Sequence, residues 1–266
     1  PLVLHSLASG NASILARWAN TLRPPSNQTA FFNFLASHDG IGLNPARGIL
    51  TEAEIAALVE RTQRHGGFVS LKHLPDGSTA PYELNINYFD ALSDPAAAEP
   101  MALQVDRFLC AHALMLAIPG VPAIYFHSLF GSRGDRPAAE SSGIPRRINR
   151  QKLERAPLEL ALSNPGSLRF RVFSGMSRLL QTRRGLAAFH PNAPFEILDA
   201  DPRLFLIRRS APDGQNPVLC LHNLAGQAVD LDASLAPGPA QLLLSTVPQP
   251  HPARLAPYEA RWLREA

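Results

Sequence analysis

The residues best suited to chemistry stand together in the stretch 37–40, Ser-His-Asp-Gly. A mostly apolar run over 31–36 comes directly before them, which predicts a buried strand ending at these polar side chains. Gly40 lets the backbone turn there without a steric penalty from Cβ. Because α/β proteins bind ligands at the carboxyl ends of parallel strands, we predict a site at His38 and Asp39. The alternative is a structural turn whose side chains only cap backbone groups.

Two later stretches carry further polar side chains that could recognise a ligand. Residues 82–88, Tyr-Glu-Leu-Asn-Ile-Asn-Tyr, alternate polar and apolar side chains, which is typical of a half-exposed extended segment. Residues 127–150 are rich in Gly, Arg and Ser and are predicted to form a long loop. Its arginines are Arg133, Arg136, Arg146, Arg147 and Arg150. A guanidinium binds phosphate or carboxylate through two parallel hydrogen bonds, although an ordinary hairpin and solvated arginines are the alternatives.

The surrounding pattern predicts the elements that position these residues. A helix is expected over 2–20, with a break at Gly10-Asn11, and a second helix should follow Thr51, which forms a capping box with Glu54. Two further helices are expected over 101–118 and 166–184, the latter with Asn164 as its N-cap. Strands are expected over 31–36, 68–72 and 121–126.

The sequence pattern changes from helical to strand-like after the proline-rich stretch 189–194, which we interpret as a domain boundary. Turn residues then separate short strand-like runs at 195–198, 204–209, 217–223, 241–245 and 260–263. The predicted domains are therefore 1–188 and 189–266, and the second is a small antiparallel β domain.

Composition limits the function classes. Hydrophobic residues make up 45% and charged residues 18% of the 266, as in a core-forming globular protein. The net charge of +3 is not gathered in a block, so no nucleic-acid partner is expected. Cys110 and Cys220 are too few for a disulfide framework, which favours a reducing, cytoplasmic setting. The apolar run 101–118 is interrupted by polar residues and predicts a buried helix, so no membrane partner is expected. The His and Cys spacing predicts no metal site.

Residues 33–42, Asn-Phe-Leu-Ala-Ser-His-Asp-Gly-Ile-Gly, resemble the fourth signature region of the α-amylase family of glycoside hydrolases. The form Ser-His-Asp-Gly-Ile-Gly, followed by Pro45 and Gly48, is most similar to the sucrose phosphorylase branch. Four further stretches agree in the expected order: 81–85, 119–127, 146–150 and 255–258. The resemblance covers essentially the whole chain.

The resemblance implies a role for each candidate residue. Asp39 would be the carboxylate that stabilises the positively charged, oxocarbenium-like transition state without attacking the sugar. His38 would hydrogen-bond the same sugar, and Arg146 aligns with an arginine that contacts glucose. Tyr82 and Glu83 would lie over the mouth of the site and help to select the acceptor. The branch has Gln where this chain has Glu83, a departure that puts plain sucrose in doubt and leaves related α-glucosides open.

The implied fold is the carboxyl-terminal part of a TIM (β/α)8 barrel followed by the antiparallel β domain. Only two predicted strands, 31–36 and 121–126, match the barrel, which needs more to close. In the family the nucleophile and the acid/base lie on the fourth and fifth strands, upstream of this chain. We therefore expect a fragment that lacks the amino-terminal half of its enzyme and is inactive alone.

The expected activity is transfer of glucose from sucrose or a related α-glucoside to inorganic phosphate, with retention, giving glucose 1-phosphate. The partners would then be a small carbohydrate and phosphate, with no cofactor. Two alternatives stay open: an α-glucoside hydrolase or transglucosidase of the same family, and a non-catalytic carbohydrate-binding protein.

Overall fold

A computed structural model describes residues 1–232 and 240–265 of the chain. The α-helices in this part are α1 (Leu2–Ser9), α2 (Ser13–Ala19), α3 (Glu52–Arg64), α4 (Tyr88–Leu92), α5 (Met101–Ala117), α6 (Phe126–Leu129), α7 (Arg136–Ser142), α8 (Arg155–Ser163) and α9 (Leu168–Arg184). The strands are β1 (Phe32–Asn33), β2 (Ile41–Gly42), β3 (Phe68–His73), β4 (Thr79–Asn85), β5 (Val121–Pro122), β6 (Phe195–Leu198), β7 (Leu204–Arg209), β8 (Val218–Asn223), β9 (Val229–Asp230), β10 (Gln241–Ser245), β11 (Arg254–Leu255) and β12 (Ala260–Arg264). Three 3-10 helices span Asn44–Ala46, Pro145–Asn149 and Ala187–Phe189.

The described residues form two compact units, each assembled from separate parts of the chain. The first contains Pro1–His5, Phe34–Gln104 and Ile124–Phe173. The second contains Ser6–Asn33, Val105–Ala123 and Ser174–Ala266.

The first unit is built around a three-stranded antiparallel sheet in the order β2-β4-β3. Helix α3 precedes β3 and begins with the predicted capping box, in which the Thr51 hydroxyl accepts from the Glu54 backbone N–H and the Glu54 carboxylate accepts from Thr51. Its apolar stripe, with Ile55 and Leu58, is buried. The predicted helix and the strand over 68–72 are both confirmed.

The second unit contains a five-stranded antiparallel sheet in the order β10-β12-β8-β7-β6. All five predicted strand runs are confirmed, with ends that differ by at most one residue, and the predicted antiparallel β architecture of this region is present. One hydrophobic cluster packs along it: Leu204, Leu206, Leu219, Leu221, Val229, Leu231, Leu255 and Leu263. Alternate residues such as Phe205 of β7 and Cys220 of β8 are also buried, so both faces of these two strands are covered.

A short parallel pair also belongs to the second unit. Strand β1 pairs with β5, with Phe32 opposite Val121 and Asn33 opposite Pro122. The Asn33 amide donates to the carbonyl of Pro119 at 2.9 Å and secures the chain before β5. The parallel pairing agrees with the predicted strands, but their predicted lengths and burial are wrong. Each has two residues, and Phe32 is 66% and Val121 45% exposed, because so short a ladder covers little side-chain surface.

The predicted loop over 127–150 is also wrong, since it contains most of α6, all of α7 and a 3-10 helix. The Asp135 carboxylate caps α7 by accepting from the Ala138 N–H at 3.2 Å, Pro137 lies in its first turn, and Gly143 ends it with φ +66°. The N-cap predicted at Asn164 is displaced. Its side chain accepts from the Gly166 N–H, whereas Ser167 caps α9 by accepting from the Phe170 N–H.

Candidate functional site

The sheet of the first unit brings the Ser-His-Asp-Gly turn beside Tyr82 and Glu83. Strand β2 follows the turn and pairs with β4 so that Ile41 faces Leu84 and Gly42 faces Glu83. Gly40 makes this approach possible, because it has φ +128° and a Cβ there would lie 2.1 Å from the Leu84 carbonyl oxygen. The turn thus holds its two polar side chains close to the residues of β4.

Asp39 is the centre of a charged cluster. Its Oδ1 accepts from Arg150 Nη2 at 2.5 Å and lies 3.6 Å from Arg146 Nε. The Nε2 of His38 also lies 3.6 Å from this oxygen. The carboxylate is about a quarter exposed, so it meets two guanidinium groups on the protein side and remains accessible to a ligand.

Arg146 connects Asp39 to both predicted residues of β4. Its Nε donates to Glu83 Oε2 at 2.9 Å, and its Nη2 donates to the Tyr82 hydroxyl at 3.0 Å. The hydrogen bond and the charge of Glu83 raise the pKa of Arg146 above its usual range. The guanidinium is therefore held in one orientation by three side chains.

A buried amide supports the cluster from below. Asn85 Nδ2 donates to Glu83 Oε2 at 3.0 Å and to the backbone carbonyl of Asp39 at 2.9 Å. The Asn85 Oδ1 in turn accepts from the Ser70 hydroxyl at 2.7 Å. One side chain therefore fixes the distance between the Asp39 turn and β4.

The 3-10 helix at Pro145–Asn149 places the two arginines on the cluster. The Tyr125 hydroxyl donates to the Asn149 carbonyl at 2.6 Å, just before Arg150, and burial raises the pKa of Tyr125 so that this donor keeps its proton. Arg150 Nε also donates to the His38 carbonyl at 3.3 Å. Asn149 itself is buried, and its side-chain amide has no hydrogen-bond partner among the described residues.

The structure brings together all five residues named from the sequence: His38, Asp39, Tyr82, Glu83 and Arg146. Two further members were not assigned to the site from the sequence, since Arg150 was only one of five arginines considered and Asn85 was not singled out. Arg150 is the nearest cation to Asp39, and its spacing of four residues from Arg146 was the available signal; Asn85 lay in the 81–85 stretch as an ordinary polar residue. Other arginines of the 127–150 stretch are engaged elsewhere, Arg133 with Asp90 and Arg136 with Glu140.

The cluster contains two carboxylates, Asp39 and Glu83, and two guanidinium groups, Arg146 and Arg150. Their charges nearly balance, and the ion pairs between them hold each group in one orientation. Such preorganisation lets a carboxylate stabilise developing positive charge without rearranging at the moment of reaction. The guanidinium groups can bind an anionic or hydroxylated ligand through directed N–H donors. The arrangement therefore suits a site that holds a polar ligand and stabilises charge.

Residues 1–232 and 240–265 contain neither of two other kinds of feature, a metal-binding cluster or a membrane-spanning helix. No group of three or more His, Cys, Asp or Glu side chains has the arrangement of a metal site. No helix in this part has the length and apolar composition needed to cross a bilayer.

Comparison with known proteins relates the chain to carbohydrate-active enzymes. It is 48% identical to the glucosylglycerate phosphorylase of Allomeiothermus silvanus over 224 residues, which are 84% of this chain and 40% of that protein. It is 45% identical to the glucosylglycerate phosphorylase of Escherichia coli (80% of this chain, 38% of that protein) and 32% identical to the sucrose phosphorylase of Agrobacterium vitis (76% and 38%). The chain thus spans about two fifths of the length of these relatives.

Fold comparison agrees. A crystal structure of sucrose 6F-phosphate phosphorylase from Thermoanaerobacter thermosaccharolyticum matches with a TM-score of 0.68 at 21% identity, covering 84% of this chain and 42% of that one. Residues 196–262 match the family model described as "Domain of unknown function (DUF3459)".

Proposed function

Because this chain belongs to the α-amylase family of glycoside hydrolases, in its sucrose phosphorylase-like branch, we propose that its full-length protein is an α-glucosyl phosphorylase. The enzyme transfers glucose from an α-glucoside to inorganic phosphate, with retention, through a covalent glucosyl-enzyme. The observation that carries this proposal is the Asp39 carboxylate held between Arg146 and Arg150 beside His38. Asp39 stabilises the oxocarbenium-like transition state, and His38 binds the sugar.

The rest of the catalytic machinery belongs to another part of the full-length protein. A retaining enzyme needs a nucleophile and an acid/base carboxylate about 5–5.5 Å apart. We assign both to strands of a (β/α)8 barrel outside this chain, with β1 and β5 as barrel strands; the parallel register of this pair supports that assignment. The chain alone is then inactive.

We also propose a domain boundary between residues 188 and 189, and the DUF3459 match at 196–262, which lies wholly after that boundary, supports this proposal. Residues 233–239 and 266 of that domain lie outside the described residues. A cytoplasmic location is part of the same proposal, and the free, buried thiols of Cys110 and Cys220 support it.

We propose that the substrate is the α-glucoside of a small acid such as glycerate. Three curated relatives that are 43–48% identical to this chain are glucosylglycerate phosphorylases. The site carries two arginines, and a guanidinium binds a carboxylate through paired N–H donors. The Glu83 departure from Gln also argues against plain sucrose.

The test is to express the whole open reading frame that contains this chain and to assay glucose 1-phosphate release. Glucosylglycerate with phosphate should yield glucose 1-phosphate and glycerate, and release should depend on phosphate concentration. Sucrose should be the poorer substrate. Release of free glucose at a rate independent of phosphate would instead establish a hydrolase, and no turnover of any α-glucoside would leave the carbohydrate-binding alternative.

Glu83→Gln should lower the preference for glucosylglycerate over sucrose, measured as the ratio of kcat/KM values, by about tenfold or more. The variant keeps the shape of the side chain but removes the charge that orients Arg146, and a hydrogen bond to a charged group contributes about 1.5–3 kcal/mol. Glu140→Gln is the matched control, since Glu140 pairs with the exposed Arg136. Equal ratios in the two variants would remove Glu83 from acceptor selection.

A further inference from the structure

A cavity in the first unit takes no part in the Asp39 cluster. It has a volume of about 360 Å3, near the lower end of the roughly 300–1,000 Å3 of small-molecule sites. Its lining includes two arginines, a serine, a glutamine and two glycines: Arg133, Arg169, Ser167, Gln151, Gly131 and Gly134. None of these side chains hydrogen-bonds to His38, Asp39, Tyr82, Glu83 or Arg146 in the described part of the chain.

Arg169 is a partly buried cation that has no counter-ion among the residues that the structure describes. Its Nη1 donates to the Ser132 hydroxyl at 3.0 Å, and it forms no ion pair with any acid in residues 1–232 or 240–265. Burial lowers its pKa, as expected for a guanidinium that loses water and gains no opposite charge. A charge in this condition favours an anion from outside the chain.

A hydrogen-bonded chain holds Arg169 in place. Ser132 Oγ lies 3.0 Å from His127 Nδ1, and the backbone of Gln151 hydrogen-bonds to the same imidazole. Burial and the nearby Arg169 charge lower the pKa of His127. The Ser132 hydroxyl therefore accepts from Arg169 and also lies within hydrogen-bond distance of His127 Nδ1.

Arg133 completes the lining but is already compensated. Its Nη1 donates to Asp90 Oδ1 and its Nη2 to Gln104 Oε1, both at 2.6 Å. The Asp90 carboxylate also accepts from the Gly134 N–H at 2.7 Å and so anchors the loop that forms one wall of the cavity. The surplus positive charge therefore rests on Arg169.

We propose that this cavity is an anion site that binds a phosphate group, with Arg169 as its principal ligand. The guanidinium has donors beyond the one used on Ser132, and a phosphate oxygen pair matches its fork. Ser167 and Leu168 form the start of α9, where backbone N–H groups add positive potential. The cavity has room for a small organic group attached to the phosphate, so inorganic phosphate and a small phosphate monoester share the same recognition chemistry.

The experiment is calorimetric titration of the full-length protein with inorganic phosphate and, separately, with glycerol 3-phosphate. Ionic strength is held constant with chloride, and a chloride titration serves as the reference. We expect saturable binding with Kd on the order of 1 mM. Arg169→Gln should weaken it about tenfold or more, because hydrogen bonds to charged groups contribute about 1.5–3 kcal/mol. Preference for one titrant identifies free phosphate or a monoester as the source.

Arg171→Gln is the matched control, because Arg171 is an exposed arginine on the same helix that does not line the cavity. Both variants keep the Asp39 cluster, so any phosphate that binds there contributes equally to both titrations. The difference in phosphate affinity between the two variants therefore measures binding at the cavity. Equal affinity in the two variants, or no saturable binding of either titrant, would overturn the proposal. If circular dichroism shows that Arg169→Gln does not fold, the phosphate affinity of Arg169→Lys is measured instead. It keeps the charge and loses the fork, and unchanged affinity in that variant would also overturn the proposal.

Discussion

Asp39→Asn in the full-length protein is expected to lower kcat for glucosyl transfer by roughly 10³-fold, since losing one preorganised electrostatic contact typically costs 10²–10³-fold. The amide keeps the size of the carboxylate and can still accept from Arg150, which donates to Oδ1 at 2.5 Å. It no longer carries the negative charge that stabilises an oxocarbenium-like transition state. Steady-state phosphorolysis measures the effect, and circular dichroism verifies that the fold is intact.

Asp76→Asn is the control for this prediction. Asp76 is an exposed turn residue of the first unit that hydrogen-bonds to Ser78 and lies outside the cluster, so its replacement should leave kcat unchanged. An Asp39→Asn enzyme that works within a few-fold of the parent would mean that Asp39 has no role in stabilising the transition state. The cluster would then be a structural charge network.

The second large effect is loss of stability in mild acid, through two buried histidines of the second unit. His112 and His222 are almost completely buried, and burial lowers the pKa of each to about 4. Each ring lies within hydrogen-bond distance of a backbone carbonyl, His112 of Phe108 and His222 of Phe205, but these bonds offset only part of the desolvation. The folded chain therefore holds both rings neutral where the unfolded chain protonates them.

The sign follows from proton binding. Between pH 6.5 and about 4 the unfolded chain binds more protons at these rings, so the free energy of unfolding falls as the pH falls. Each histidine costs roughly 3 kcal/mol by pH 4, a large share of the 5–15 kcal/mol typical of a folded domain. Asp106, whose pKa burial raises to about 6, acts in the opposite direction, because it gains a proton more readily when folded.

Denaturant unfolding between pH 7 and pH 4 measures this effect. The wild-type chain should lose stability across the window, and His222→Asn should lose roughly 3 kcal/mol less, since the replacement does not titrate. Destabilisation that does not depend on pH lowers the free energy of unfolding equally at pH 7 and at pH 4. It therefore cancels when the change between the two pH values is compared for the two proteins. Parallel pH curves for the two proteins would show that His222 is not the source of the acid sensitivity.

Much of the local structure could be predicted from patterns along the chain. The capping box at Thr51, the break at Gly10-Asn11 and the apolar runs of the β region placed α3, the first two helices and β6, β7, β8, β10 and β12 within a residue or two. These features depend on neighbours along the chain, so local pattern is enough. Other local motifs, above all the stretches 33–42, 81–85 and 146–150, led to the family and to the five candidate site residues.

The assembly of the site could not be predicted in this way, because it depends on contacts between distant parts of the chain. Arg150, not Arg146, is the nearest cation to Asp39, and Asn85 fixes the turn against β4 across a separation of 46 residues. Which donor reaches a carboxylate depends on chain segments far apart in sequence, and a run of similar arginines does not encode it. The exposure of Phe32 has the same origin. An apolar run indicates that its side chains favour burial, but whether they are buried depends on which parts of the folded chain pack over them.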